Sequence, residues 1–110
     1  MNSSILHIYT HKGIELVDAN SIVSVEALSS YSKIFLSNNK TILVCKVLHW
    51  FEDNLSTTQF VRISRGRVIN KNYLNTAAMK NDLKVVLLSG EVFTISRRKK
   101  KQVLKSLAVL

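Results

Sequence analysis

The chain has 110 residues, 46% of them apolar, enough for one hydrophobic core and too few for two ordinary domains, and this composition excludes a disordered chain. Its longest purely apolar runs, such as Ile42 to Cys45 and Val85 to Leu88, are four residues, against the roughly 20 a membrane span needs, so no such span is expected. Sixteen Lys and Arg against seven Asp and Glu give a net charge of +9, and the single cysteine, Cys45, excludes an internal disulfide and any cysteine-based zinc cluster.

Short apolar runs separated by turn residues organise the chain. There is no proline, low-complexity segment, repeat or linker, and one domain over residues 1–110 is expected. Ile5 to Tyr9 and Ile14 to Val17 predict a hairpin around His11-Lys12-Gly13. Ile22 to Ala27 alternates, with Ile22, Ser24 and Glu26 on one side and Val23, Val25 and Ala27 on the other. Tyr31 to Leu36 predicts a strand, Ser37 to Lys40 a turn, and Thr41 to Val44 or Cys45 the return strand. In KVLHWFEDNL, Val47, Leu48, Phe51 and Leu55 recur at helical spacing. Two or three short strands are expected between Phe60 and Met79, then a hairpin of Leu83 to Leu88 with Val92 to Ile95 around Ser89-Gly90. The closing SRRKKKQVLKSLAVL predicts a helix capped by Ser96, with Val103, Leu104, Leu107 and Leu110 on one face. The fold class is therefore mainly β, built from short antiparallel strands and hairpins, with a middle and a C-terminal helix.

Nothing in the chain suggests catalysis. His7, His11 and His49 belong to unrelated segments, and no paired histidine and carboxylate, HExxH or Gly-rich phosphate loop occurs. Glu52 and Asp53 are adjacent on a helix, so their side chains diverge by about 100°. Cys45 closes an apolar run and is expected to be a small buried hydrophobe. No enzyme, cofactor or metal site is expected.

The charge is segregated. Residues 1–61 carry four basic and five acidic residues, a net of −1, and residues 62–110 carry twelve and two, a net of +10. Such clustering suggests a polyanionic partner. In FVRISRGRVINKNYL, Val61 and Ile63 point to a core and Arg62 to the opposite face, while Arg65 and Arg67 flank a turn at Gly66, all without an acid nearby in sequence. A guanidinium on a short strand-end turn suits guanine edges or phosphate. A structural ion pair is the competing role, for Arg62 first. The second cluster, Arg97-Arg98-Lys99-Lys100-Lys101, opens the last helix. Cations there oppose the macrodipole at about 0.3–1 kcal/mol each. A solvated charged face is the competing reading, and a phosphate would offset the cost by accepting both side chains and free backbone N–H groups.

These segments together resemble the LytTR-type DNA-binding domain of bacterial transcription regulators. FVRISRGRVINKNYL is similar to that family's signature, roughly F-x-R-x-H-R-S-[aromatic]-[IV]-V-N. SIVSVEALSSYSKIFL resembles its strand-turn-strand opening, VLHWFEDNLSTTQF its helix, and LLSGEVFTISRRKKKQVLKSL its closing hairpin with the Ser-Arg motif. The likeness runs from about Ile5 to Leu107. Ser64, Gly66 and Arg67 stand where the family has His, Ser and an aromatic residue, so base preferences do not transfer. The resemblance implies an elongated antiparallel β fold whose loops enter successive DNA grooves. It implies contacts from Ser32 and Lys33, from Arg65 in the signature and from Arg97 or Arg98 before the last helix. The charge and helix-end reading of the two clusters adds Arg62, Ser64, Arg67 and Asn70, and the rest of the run Arg97 to Lys101, with Lys99, Lys100 and Lys101, to the expected DNA-binding residues. The resemblance also implies paired direct repeats bound by two copies, and a receiver domain or kinase-linked partner outside this chain.

A sequence-specific double-stranded DNA-binding regulator is thus the leading expectation. A non-specific RNA or single-stranded DNA module would need exposed aromatics, and most of the eight aromatics sit at apolar positions. A protein-binding or anionic-membrane module using residues 97–105 is the third class. MNSSILHIYTHK lacks the basic lead and apolar block of a signal peptide, and one cysteine fits a reducing compartment, so a cytoplasmic location is expected. Beginning with its own Met, the chain is expected to be a stand-alone regulator or an excised output domain.

Overall fold

A computed structural model describes residues 5–79 and 83–107. Strands β1 (Ile5–Thr10) and β2 (Gly13–Asp18) form the first hairpin, closed at Gly13, whose φ of 111° suits a residue without a Cβ. Strands β3 (Ile22–Leu28), β4 (Tyr31–Leu36), β5 (Thr41–Val44), β6 (Phe60–Ser64) and β7 (Arg67–Asn70) form one antiparallel sheet in the order β5-β4-β3-β7-β6. Helix α1 (Leu48–Asn54) links β5 to β6. Strands β8 (Lys84–Val86) and β9 (Val92–Thr94) form the last hairpin, and helix α2 (Lys100–Leu107) follows it.

The sheet is apolar on both faces. One face carries Ile22, Val25, Ile34, Val44, Phe60 and Val68, covered by Ile8 and Val17 of the first hairpin, by Leu48 and Phe51 of α1 and by its C-cap Leu55. The other carries Val61, Ile63 and Ile69, covered by Val85, Ile95 and Val103. A register shift between Ile22 and Ser24 explains why Ile22 and Val25 share a face although strict alternation separates them. The molecule measures 41 × 33 × 23 Å along its principal axes.

Most predicted elements stand within one or two residues of their expected bounds. Val47 and Leu55 lie just outside α1 as its exposed N-cap and buried C-cap, and the helix itself presents Leu48 and Phe51 to the core. Cys45 is exposed, contrary to expectation, because Val44 beside it is fully buried and period-2 alternation turns the next side chain outward, as it does Leu43. The last helix begins at Lys100 and not just after Ser96. Arg97, Arg98 and Lys99 form a turn before it, with Ser96 Oγ accepting from Lys99 N at 3.3 Å. Val103 is buried and Leu104 and Leu107 half-buried as expected, while Leu110 lies outside the described residues. Lys71 Nζ donates to Ser106 Oγ at 2.9 Å, placing a cation near the negative C-terminal end of α2.

Candidate nucleic-acid interface

Antiparallel order brings several chain reversals to one edge of the sheet. Leu28 pairs with Tyr31 at the β3–β4 tip, and Ser32 at the start of β4 pairs with Val44 at the end of β5. Glu26 pairs with Arg67 at the start of β7, and Ala27 N donates to Gly66 O at 2.9 Å, so the β6–β7 turn lies beside the β3–β4 tip. Ser96 N donates to Ile63 O at 2.8 Å, which sets the turn before α2 against the end of β6. One continuous edge therefore holds Lys46, the 29–30 tip, Arg65 and the run 97–101. Five strands about 4.8 Å apart span about 19 Å, and the start of α2 extends that edge further.

Its electrostatics follow from where the acids went. Glu52 lies 2.7 Å from Arg62 and Glu26 3.4 Å from Arg67. Among the described residues no carboxylate comes within ion-pair distance of Arg65, Arg97, Arg98, Lys99 or Lys101. Arg65, Arg97, Arg98 and Lys101 are exposed, and Lys99 and Lys100 half-buried. His49 lies 3.3 Å from Asp53 and 3.7 Å from Glu52 on the exposed side of α1, so a histidine and carboxylate pairing does occur, contrary to the expectation of none, because residues three and four apart share a helix face.

The remaining expected site residues have internal partners. Ser32 is fully buried, its Oγ donating to Lys46 O at 2.6 Å. Asn70 is fully buried too; its Nδ2 donates to Ile22 O and its Oδ1 accepts from Asn72 N, each at 2.9 Å. Ser64 Oγ accepts from Gly66 N at 3.2 Å, inside the β6–β7 turn. Lys33 is half-buried, its ammonium 5.3 Å from the Phe35 ring centre.

Arg67 lies on the face opposite Arg62. Its guanidinium stacks 4.1 Å from the Phe93 ring centre and 5.4 Å from that of Phe35, and Nη1 donates to Ser24 Oγ at 3.2 Å. Burial lowers its pKa below the ordinary guanidinium value, and Glu26 and Glu91 oppose that shift. It stays charged near neutral pH. Here the signature's aromatic position holds a cation clasped between two aromatic rings.

Two features of this edge escaped the sequence reading. Leu28 and Tyr31 are exposed on either side of Ser29, whose φ of 60° is a conformation that glycine adopts freely and serine at a cost. Lys46 joins the edge with its ammonium 5.4 Å from the Trp50 ring centre. No local pattern marks either, because their position depends on strand pairing.

The family model of the LytTr DNA-binding domain matches residues 12–108. Among solved structures, the fold is similar to a chain described as the LytTr DNA-binding domain of a response regulator from Bacillus cereus. The TM-score is 0.78 at 20% identity, over 98% of this chain and 99% of that one. No curated protein matches the chain in sequence. With the family's model spanning residues 12–108 of 110, and a fold similar to that of the solved LytTr domain, the chain belongs to the LytTR DNA-binding domain family.

Proposed function

We propose that this domain binds double-stranded DNA sequence-specifically, as the output of a transcription regulator, through the basic edge described above. The observation that carries the reading is the hydrogen bond from Ser96 N to Ile63 O. It joins two basic clusters some thirty residues apart in sequence into one surface whose nearest acids are already paired. Arg65 is the base-reading residue of this surface, because a planar fork on a rigid turn matches a guanine edge. Arg97, Arg98, Lys99, Lys100 and Lys101 hold phosphates beside it, and Lys33 supports the neighbouring tip. Ser32, Arg62, Ser64, Arg67 and Asn70 shape the support and do not touch DNA. Two copies on direct repeats follow from the family likeness.

Tyr9 and Tyr31 are the only exposed aromatics among the described residues, which disfavours a stacking platform for single strands. The test begins with selection of bound duplexes from a random pool. The selected duplex then competes with a scrambled duplex, single-stranded RNA and anionic vesicles. Tight binding confined to the selected duplex is expected, and equal competition by all four would sink the reading. Arg65→Ala should cost about 1–3 kcal/mol on the selected duplex and relax preference at one or two base positions. Equal weakening on both duplexes would make Arg65 a phosphate contact.

A further inference from the structure

Arg62 uses every nitrogen of its guanidinium inside the protein. Nη1 donates to Glu52 Oε1 at 2.7 Å, Nε to Ser64 O at 3.0 Å and Nη2 to Arg65 O at 2.8 Å. Gly66 O accepts from Ala27 N at 2.9 Å, so three consecutive carbonyls of the turn, at 64, 65 and 66, are held. Gly66 N is held as well, by Ser64 Oγ. The turn therefore has its backbone fixed while the Arg65 side chain stays exposed.

We propose that Glu52 and Arg62 are positioning residues for Arg65: the carboxylate sets the Arg62 guanidinium, and the guanidinium sets the turn that presents Arg65 to a base edge. This rests on the DNA-binding reading above and adds two residues that act without touching DNA. Glu52 lies on α1 next to Phe51, which is fully buried, so the carboxylate is anchored to the core. Arg62 lies on β6 at a register shift between Arg62 and Ser64, where the ladder leaves turn carbonyls in need of donors. A guanidinium can serve three acceptors spread around one plane, and an ammonium cannot. The Glu52 bond is charge-assisted and gives that plane its orientation. A turn fixed before binding does not have to be ordered by the DNA, which favours the correct site over others.

The experiment pairs Glu52→Ala and Arg62→Lys with the unaltered domain, each alone and in an Arg65→Ala background. Discrimination between selected and scrambled duplexes is read by binding isotherms, and motion of the Arg65 and Gly66 amides by 15N relaxation without DNA. Each single change should lower affinity for the selected duplex about five- to tenfold, the lower range of one good base contact. Affinity for the scrambled duplex and the salt slope should stay as they were. In the Arg65→Ala background neither change should cost anything further, since residues acting through one another are not additive. Relaxation should show a looser turn in both variants. Equal weakening on both duplexes would make Arg62 a direct phosphate contact and overturn the proposal. So would additive losses, or an unchanged turn. If the unaltered domain itself fails to discriminate between duplexes, the DNA-binding reading falls, and the relaxation data still decide whether Glu52 and Arg62 hold the turn. Should Arg62→Lys not fold, Glu52→Ala, on the half-exposed side of α1, carries the test alone.

Discussion

Arg62, Arg65 and Arg67 stand within six residues, and their environments could hardly differ more. Arg65 is exposed, Arg62 grips a turn with help from Glu52, and Arg67 is clasped between Phe35 and Phe93. The difference follows from period-2 alternation, interrupted by the register shift after Arg62. Arg67 makes a prediction of its own. Stacking on two rings, together with burial of its stem, is worth about 2 kcal/mol when largely desolvated. Arg67→Ala should therefore lower folding stability by about that much in a urea titration. Arg67→Leu should recover part of it, since an apolar side chain fills the same gap, though it leaves the half-exposed Glu26 unpaired and the buried Ser24 Oγ without the Arg67 donor. An unchanged midpoint for Arg67→Ala would mean that the stack contributes nothing.

At the scale of elements, α1 and the segment entering α2 behave oppositely. α1 is a short helix without a side-chain cap, held by packing: Phe51 is fully buried and meets Trp50 edge-on at 5.0 Å. Phe51→Ala should cost roughly 3–5 kcal/mol, read by chemical denaturation. A thermal or chemical midpoint that did not move would contradict its place in the core. The start of α2 is instead loaded against its own dipole, with no acid in its first turn. Arg98→Glu with Lys101→Glu should leave the free domain as stable or slightly more stable, because acids suit that end of a helix. The same double change should abolish detectable DNA binding at physiological salt. Loss of folding would make these cations structural. Retained binding with an unaltered salt slope would place the DNA surface elsewhere.

For the whole molecule, the basic edge sets how binding should respond to ions and spacing. Five or six neutralised phosphates, each contributing about −0.9, give a slope of log affinity against log salt near −5 for one domain. A salt titration with a slope near zero would rule out the edge as the contact surface. Two copies on direct repeats should lie on one side of the duplex. Changing the spacing by about 5 base pairs, half a helical turn, should then remove cooperative binding, and a change of about 10 should restore much of it. Gel-shift titrations on the spacing series distinguish this from independent binding, which spacing would not affect.

The sequence by itself determined the list of elements and the sign of the partner. Alternation in Tyr31 to Leu36, the turn at Ser37 to Lys40 and the helical spacing of Leu48, Phe51 and Leu55 are local patterns, and local patterns survive without tertiary context. The excess of twelve basic residues over two acids after residue 61 is likewise a property of composition. Even the family was legible, since its motifs are contiguous. Tertiary structure alone decided which basic residues remain available. Glu52 and Glu26 lie 10 and 41 positions before the arginines they neutralise, and no sequence period links them. Ser32 and Asn70 match family positions, yet both are buried with their polar atoms bonded internally, because backbone carbonyls from distant segments reach them. Cys45 is exposed for a local reason: alternation along its apolar run buries Val44 and leaves Leu43 and Cys45 outside. Burial and ion pairing depend on what the fold brings within a few ångströms, and antiparallel pairing sets those distances across the chain.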